Sequence, residues 1–339
     1  MLLAQQTGTK QSYLPSLPPL TRCNQDSKII RLWRRAASPC RATGTSPRGG
    51  GVYPGQNASI SGGNNPRPST SRGTQRLYIR LNTLHYLLSH IHALDKSLSF
   101  FSHGRCGSPT SSAASRHLAH AQSTHFEHSR AKAQSAIIRV AEVAACRLIF
   151  LDSHHSFYGG LYVGAVADAR IRPALRTLKQ NLSFLVSILV DRAQPVAVRE
   201  VMKASFQAFL MVLLAGGSER SFTAEDHAII EEDFRSLKRA FCTRGEGLVA
   251  EEVVEGEALA AEGVVALMGQ TAEQLVDEFG IAAYETTGAV SDRQQLPMPP
   301  TTRRWSRTDP NTILRVLCHR DDEAANQFLK RTFQLARRR

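Results

Sequence analysis

ARIRPALRTLKQNLSFLVSILVDRAQPVAVREVMKASFQAFLMVLLAGG, residues Ala169 to Gly217, is the stretch whose reading decides the fold. Leu175, Leu178, Leu182, Leu185 and Leu189 recur at steps of three and four, which lines them up on one face of a 3.6-residue helix. Arg172, Arg176, Lys179 and Arg192 fall mostly off that face. Pro173 suits a first turn, where a missing N–H leaves no hydrogen bond unmade. Past a break at Gln194-Pro195 a second stripe follows: Val198, Val201, Met202, Phe206, Phe209, Leu210 and Leu213, stopped by Gly216-Gly217. Each helix needs an apolar partner. The short connection predicts that they are each other's, as a helical hairpin at the centre of a bundle with Phe206 and Leu210 as its anchors.

The same periodicity extends outward. From Gln75, the residues Leu77, Leu81, Leu84, Leu87 or Leu88, Ile91 and Leu94 form one stripe, and Ala131 to Asp152 form another helix. Phe157, Tyr158, Leu161, Tyr162 and Val163, around Gly159-Gly160 and Gly164, read as a loop closing onto the bundle. Downstream, Thr223 and Asp226 resemble the two ends of a capping box. The helix they open buries Ile229, Ile230, Phe234, Leu237 and Phe241 and wets Glu231, Glu232 and Asp233. A helix over residues 246–268 follows. Thr271 and Gln274 form a second box, and their helix is expected to end at Gly280. After a loop over 285–308, Asp309-Pro310 caps helices carrying Ile313, Leu314, Val316 and Leu317, then Ala324, Ala325, Phe328, Leu329 and Phe333. No strand-like alternation competes, so the fold class is all-α, a set of stacked helical bundles. Residues 40–75 and 102–125, rich in Gly, Pro, Ser and His, are expected to be irregular. Residues 27–37 (SKIIRLWRRAA) are read as a short basic amphipathic helix packed on the core.

The 339 residues carry a net charge of +13, distributed unevenly. Residues 1–150 hold +15, residues 151–299 hold −8 and residues 300–339 hold +6. The regular centre is therefore acidic, and the basic excess lies at the two ends, where anionic membrane or nucleic acid is the usual partner. The longest apolar run, Ala204 to Ala215, includes Ser205 and Gln207 and is too short to span a bilayer. Met1 to Ala4 run into polar Gln5-Gln6-Thr7, which gives no signal-peptide core. The six cysteines are scattered without a CxxC pair, the pattern of reduced thiols rather than a disulfide frame.

Chemistry-bearing motifs are not found. GxxxxGK[ST], HExxH and GxSxG are all missing. His85, His90 and His92 lack the i,i+4 spacing of a helical zinc pair. His117, His120, His125 and His128 read as a solvated linker rather than a metal cluster. Glu231-Glu232-Asp233 and Glu251-Glu252 are adjacent residues that point apart on a helix, which suits a solvated face and not a general acid/base pair. The reading is a protein that is not an enzyme and uses no cofactor or metal.

Several blocks carry a resemblance. They include RPSTSRGTQRLYIRLNTLHYLLSHIHALDKSL (67–98), ARIRPALRTLKQNLSFLVSILVDRA (169–193), EVMKASFQAFLMVLLAGGSERSFTAEDH (200–227) and DPNTILRVLCHRDDEAANQFLKRTFQL (309–335). These resemble the C-terminal third of plant members of the MUN-domain, or Munc-homology, family. The resemblance implies stacked helical bundles like those of exocytic tethering subunits. It lays out residues 1–75 as a mostly irregular basic segment and 76–165 as the end of a first Munc-homology-like region. Residues 166–290 become a second such domain, and 291–339 the C-terminal helices and basic tail. It also implies a fragment of a longer protein.

The function implied is a non-enzymatic adaptor for vesicle tethering or priming, which delivers membrane proteins such as a proton ATPase to the plasma membrane. Its partners would be trafficking or membrane-fusion proteins and membrane-protein cargo. Its place would be cytoplasmic, peripheral to endosomes or the plasma membrane. A basic-arm nucleic-acid-binding protein is the alternative. Within the tail, Lys330, Arg331, Arg337, Arg338 and Arg339 are the candidate contacts for anionic membrane, since a cytoplasmic leaflet attracts clustered cations.

Overall fold

Periodic Leu, Ala and Val become ten helices among the described residues of the computed structural model, which are 40–42, 70–104, 113–217, 219–242, 249–287, 299, 305–333 and 335–337. In chain order these are α1 (Arg72–Gly104), α2 (Ala113–Arg147), α3 (His154–Phe157), α4 (Arg172–Ile188) and α5 (Gln194–Ala215). They continue with α6 (His227–Arg239), α7 (Glu251–Met268), α8 (Ala272–Thr287), α9 (Pro310–His319) and α10 (Glu323–Phe333). A π-helical turn over Leu148–Asp152 continues α2. The all-α reading holds, with one addition: β1 (Cys40–Ala42) pairs antiparallel with β2 (Leu335–Arg337), Cys40 opposite Arg337. Neither strand has the length for alternation to register. The segments 27–37 and 43–69 lie outside the described residues.

The centre of the molecule is α5. Seventeen of its 22 residues are buried, and from Ala204 to Ala215 no residue faces water. A helix apolar on every side must be surrounded, and α5 is: α2, the π-turn, α7 and α9 all pack on it. The expected hairpin with α4 is corrected here. α4 meets α5 only lightly, and α2 is the main neighbour of α5. The connection explains why. Leu189 and Val190 are in the extended region, with ψ of 140° and 146°, and a 3-10 turn (Asp191–Ala193) follows before α5 starts with Pro195 in its first turn. That extended step carries α4 out of line with α5. The anchors themselves stand as expected. Phe206 and Leu210 are buried, and the Phe206 ring meets Phe234 at 5.3 Å and Phe241 at 6.1 Å between centroids.

α1 and α2 lie antiparallel, with Arg130 of α2 bonded to Asp95 of α1 at 2.9 Å and the α1 start beside Arg147. Residues 102–104 and 113–125 are helical, against the expected irregular linker. Ala113, Ala114, Ala119 and Ala121 explain it: alanine is the strongest helix former even where no apolar stripe is visible. Polar side chains pin the start of α1. Asp152 accepts from the Ser71 N–H (3.1 Å), Ser71 Oγ (3.2 Å) and Thr74 Oγ1 (2.6 Å). Asn82 grips the end of α4, donating to Ile188 O at 2.9 Å and accepting from the Val190 N–H at 3.0 Å.

The caps follow the sequence with shifted boundaries. Thr271 and Gln274 exchange both bonds of a capping box, but α8 runs on past Gly280 to Thr287. Asp309 caps α9 through Thr312 N at 2.9 Å, with Pro310 in the first turn. Asp226 accepts from the Thr223 N–H at 2.8 Å, yet α6 starts only at His227. α7 starts at Glu251 rather than at 246. The core formed by these elements is continuous from Leu77 to Leu335.

Candidate interaction surfaces

Three buried charges fix the loops that shape the surface. The first is Asp233, whose place in the acidic triplet Glu231-Glu232-Asp233 predicted a wet face. It is instead 2% exposed. It accepts from Tyr162 Oη (3.0 Å), Arg170 Nε (2.8 Å), Arg170 Nη2 (2.6 Å) and the Ile171 N–H (3.1 Å). Four donors on one carboxylate offset its desolvation. The clasp holds residues 158–171 against α6. Burial, with Asp233 beside it, pushes the Tyr162 phenol well above its ordinary range, so it stays a donor. The hydrogen bonds to Asp233 hold the Arg170 guanidinium above its usual value. Tyr162 has φ of 55°, a left-handed conformation that a non-glycine residue adopts only when its surroundings impose it. Here the imposing contacts are the Asp233 bond and the rings of Phe209 and Phe222.

The second is Arg220, also 2% exposed, which has no carboxylate partner in its bond set. Its Nε donates to Leu161 O at 2.8 Å, and its two Nη atoms donate to Gly216 O and Tyr158 O. It thus neutralises the carbonyl end of α5 and ties the 158–161 turn to it. Burial lowers its pKa, although a guanidinium keeps its proton throughout the range of proteins. The approach is possible because residue 216 is glycine: a Cβ there would stand 2.2 Å from Val212 O and 2.4 Å from Arg220 Cδ. The third is Arg320, which donates to Gln270 O at 2.5 Å and so meets the end of α7. Beside it, the Phe222 N–H donates to His319 O and the Asp321 N–H to Phe222 O, both at 2.9 Å. Sequence reasoning missed all three residues. They lie in loops or in a charge run, and only tertiary contact gives them a role.

An open groove of about 810 Å³ is lined by His155, Ser156, Gly160, Asp168, Arg170, Arg172 and Pro173. Arg170 is already engaged with Asp233 and Glu232, so the groove does not gather a convergent set of polar groups. Among the described residues no group of three His, Cys, Asp or Glu could hold a metal ion. No described helix is long and apolar enough to cross a membrane.

The candidate membrane residues are distributed as follows. Lys330 and Arg331 are exposed in the last turn of α10. Arg337 lies in β2 and not at a helix end, with its backbone paired to Cys40. Arg338 and Arg339 lie outside the described residues. The apolar side of α10 is used within the bundle: Phe328 and Phe333 each stack edge-on with Phe279 at 5.7 Å. The rings of Phe328 and Phe333 are thus already partnered within the bundle.

Comparison with known proteins comes to bear on this arrangement of surfaces. No solved structure matches the chain. It is 30% identical over 270 residues to a protein of Arabidopsis thaliana described as "Protein unc-13 homolog". The match covers 78% of this chain and 23% of that relative, so the chain spans about a quarter of the relative's length. A family model described as PATROL1-like, TPR repeats, matches residues 1–339. On that match, over the whole of its sequence, the chain belongs to the PATROL1-like family of TPR-repeat proteins.

Proposed function

We propose that this chain acts in membrane trafficking as a non-enzymatic adaptor, one that tethers or primes vesicles through its helical surfaces. The observation that carries the reading is the family membership, together with 30% identity to the unc-13 homolog of Arabidopsis thaliana. The finer reading follows the MUN-domain resemblance: delivery of membrane proteins, such as a proton ATPase, to the plasma membrane. Its partners are trafficking or membrane-fusion proteins and their cargo, and its place is cytoplasmic and peripheral to endosomes or the plasma membrane. The geometry supports surface-mediated work, because the buried charges Asp233, Arg220 and Arg320 serve loop fixation and the groove beside α3 and α4 is open.

Two experiments test this. In plant cells depleted of the protein, the plasma-membrane share of a tagged proton ATPase should fall and return when the chain's gene is restored. An unchanged distribution overturns the delivery role. Separately, Lys330, Arg331, Arg337, Arg338 and Arg339 provide auxiliary contact with anionic membrane. Each cation near such a surface contributes about 1 kcal/mol, which gives weak attachment that salt reverses. Co-sedimentation with phosphatidylserine vesicles should drop when all five become Ala. Equal binding by the variant, or binding indifferent to salt, removes the membrane contact from the proposal.

A further inference from the structure

We infer that copies of this chain associate head to tail, the outward stripe of α1 on one copy receiving the acidic stripe of α8 on the next. The inference stands apart from the trafficking reading and starts from α1, which is apolar on two opposite sides. Leu77, Tyr78, Leu81 and Leu84 are buried against the bundle. Ile79, Tyr86, Leu87, Leu94 and Leu98 are 58%, 62%, 47%, 55% and 44% exposed. At 100° per residue these five fall within a sector of about 120°, and Arg72, Arg76 and Arg80 fall in the same sector. α1 carries Arg72, Arg76, Arg80 and Lys96 against Asp95 alone, so the stripe is an apolar centre with a basic end. Isolated exposed leucines are ordinary; five large apolar side chains in one row of a single helix mark a covered face.

The complementary row lies on α8. Ala272, Leu275, Phe279 and Ala282 are buried, while Ile281 and Tyr284 are 62% and 56% exposed. Glu273, Asp277 and Glu285 share their outward sector. The helix holds four acids and neither Lys nor Arg. Its stripe from Glu273 to Glu285 is about 18 Å long; laid parallel with Asp277 level with Arg80, it brings Ile281 and Tyr284 within about a turn of Tyr86 and Leu87.

Charge selects the pairing. Two α8 stripes would oppose acid with acid in either direction; two α1 stripes would oppose arginine with arginine when parallel, and when antiparallel would set the arginines over Leu94 and Leu98 with no acid in the stripe. Only α1 against α8 matches apolar centre to apolar centre and base to acid. Within one molecule the two helices pack on different neighbours, α1 on α2 and α4, α8 on α9 and α10. The contact is therefore heterologous, joins one copy to the next and leaves a free α1 and a free α8 at the two ends.

Sedimentation velocity of the full chain over a concentration series tests this. The wild type should grow in size with concentration and shrink with added salt. Two variants then dissect the contact: Leu87→Ser with Leu94→Ser on α1, and Ile281→Ser with Tyr284→Ser on α8. All four positions are exposed, so circular dichroism should match the wild type. Each variant alone should be monomeric, and an equimolar mixture should form dimers and nothing larger, because only one α1 and one α8 stripe remain competent. A wild type that stays monomeric to its solubility limit overturns the proposal, even if its α1 stripe proves to bind vesicles. Variants that assemble like the wild type, or mixtures that grow beyond dimers, overturn it equally.

Discussion

α5 and α1 are both rich in large apolar residues, yet they end in opposite circumstances. α5 is enclosed on every side by α2, α7 and α9, whereas α1 keeps one apolar side on the bundle and turns another to solvent. The difference teaches what apolar content alone does not say. In α5 the apolar residues run all round the axis, so coverage comes from within the chain. In α1 they form two opposed rows, and the chain supplies a partner for only one.

Four measurements break or sharpen that contrast. The largest effect is expected in α5: Phe206→Ala removes a ring packed on Phe234 and Phe241 and should lower unfolding free energy by about 3–5 kcal/mol in urea titration. An unchanged midpoint would sink the central-helix account. Next, Asp233→Ala leaves Tyr162, Arg170 and the Ile171 N–H without their acceptor and should cost about 2–3 kcal/mol. Protease cleavage within residues 158–171 should rise with it, and a loop as resistant as the wild type's would show that Asp233 is not the clasp.

The third concerns pH, through one ring at the margin of the buried side of α1 and one at the start of α3. Burial lowers the pKa of His85 below its usual 6.5. Burial, then His155 and Arg220, lowers that of His154 from the same value. The folded state prefers both rings neutral, so unfolded chains take up protons first as acid is added. Stability is therefore full above 6.5 and declines as pH falls from there towards the depressed folded values. Melting temperature against pH should show that decline, and His85→Gln with His154→Gln should flatten it. A wild-type curve level from pH 7 to 5 would contradict the burial of both rings. The smallest effect belongs to the outward row: Leu87→Ser should change stability by no more than about 0.5 kcal/mol. A loss comparable to that of Phe206→Ala would mean that the outer side of α1 is already covered within the chain.

Legibility in the sequence followed the same division. Helices with a one-sided stripe, such as α6 and α9, were readable from spacing and caps, because burial on one side writes a 3.6-residue period. The partner of α5 was not readable. Proximity in sequence suggested α4, and the two extended residues Leu189 and Val190, which redirect the chain, leave no mark in composition. The spacing from Leu77 to Leu94 predicts one face, but a 33-residue helix drifts off any fixed step, and Leu94 ends outside. Asp233 looked like its neighbours Glu231 and Glu232, since nothing local distinguishes a wet acid from one that meets Tyr162 and Arg170 across the fold. The buried arginines 220 and 320 sit in loops, where hydrophobic period has no meaning. The tail cations were visible as charge, but β2 was not.

The enclosure of α5 also bears on how the chain is made. Its walls come from both directions along the sequence, α2 before it and α7 and α9 after it. A ribosome that has finished Ala215 must still add the residues up to His319 before the last wall exists, which takes roughly 5–20 s at ordinary elongation rates. For that interval the mostly apolar segment Ala204 to Ala215 lacks its later neighbours and exposes surface that invites aggregation. The helix that holds the finished molecule together is thus the one that most needs guarding while the molecule is unfinished.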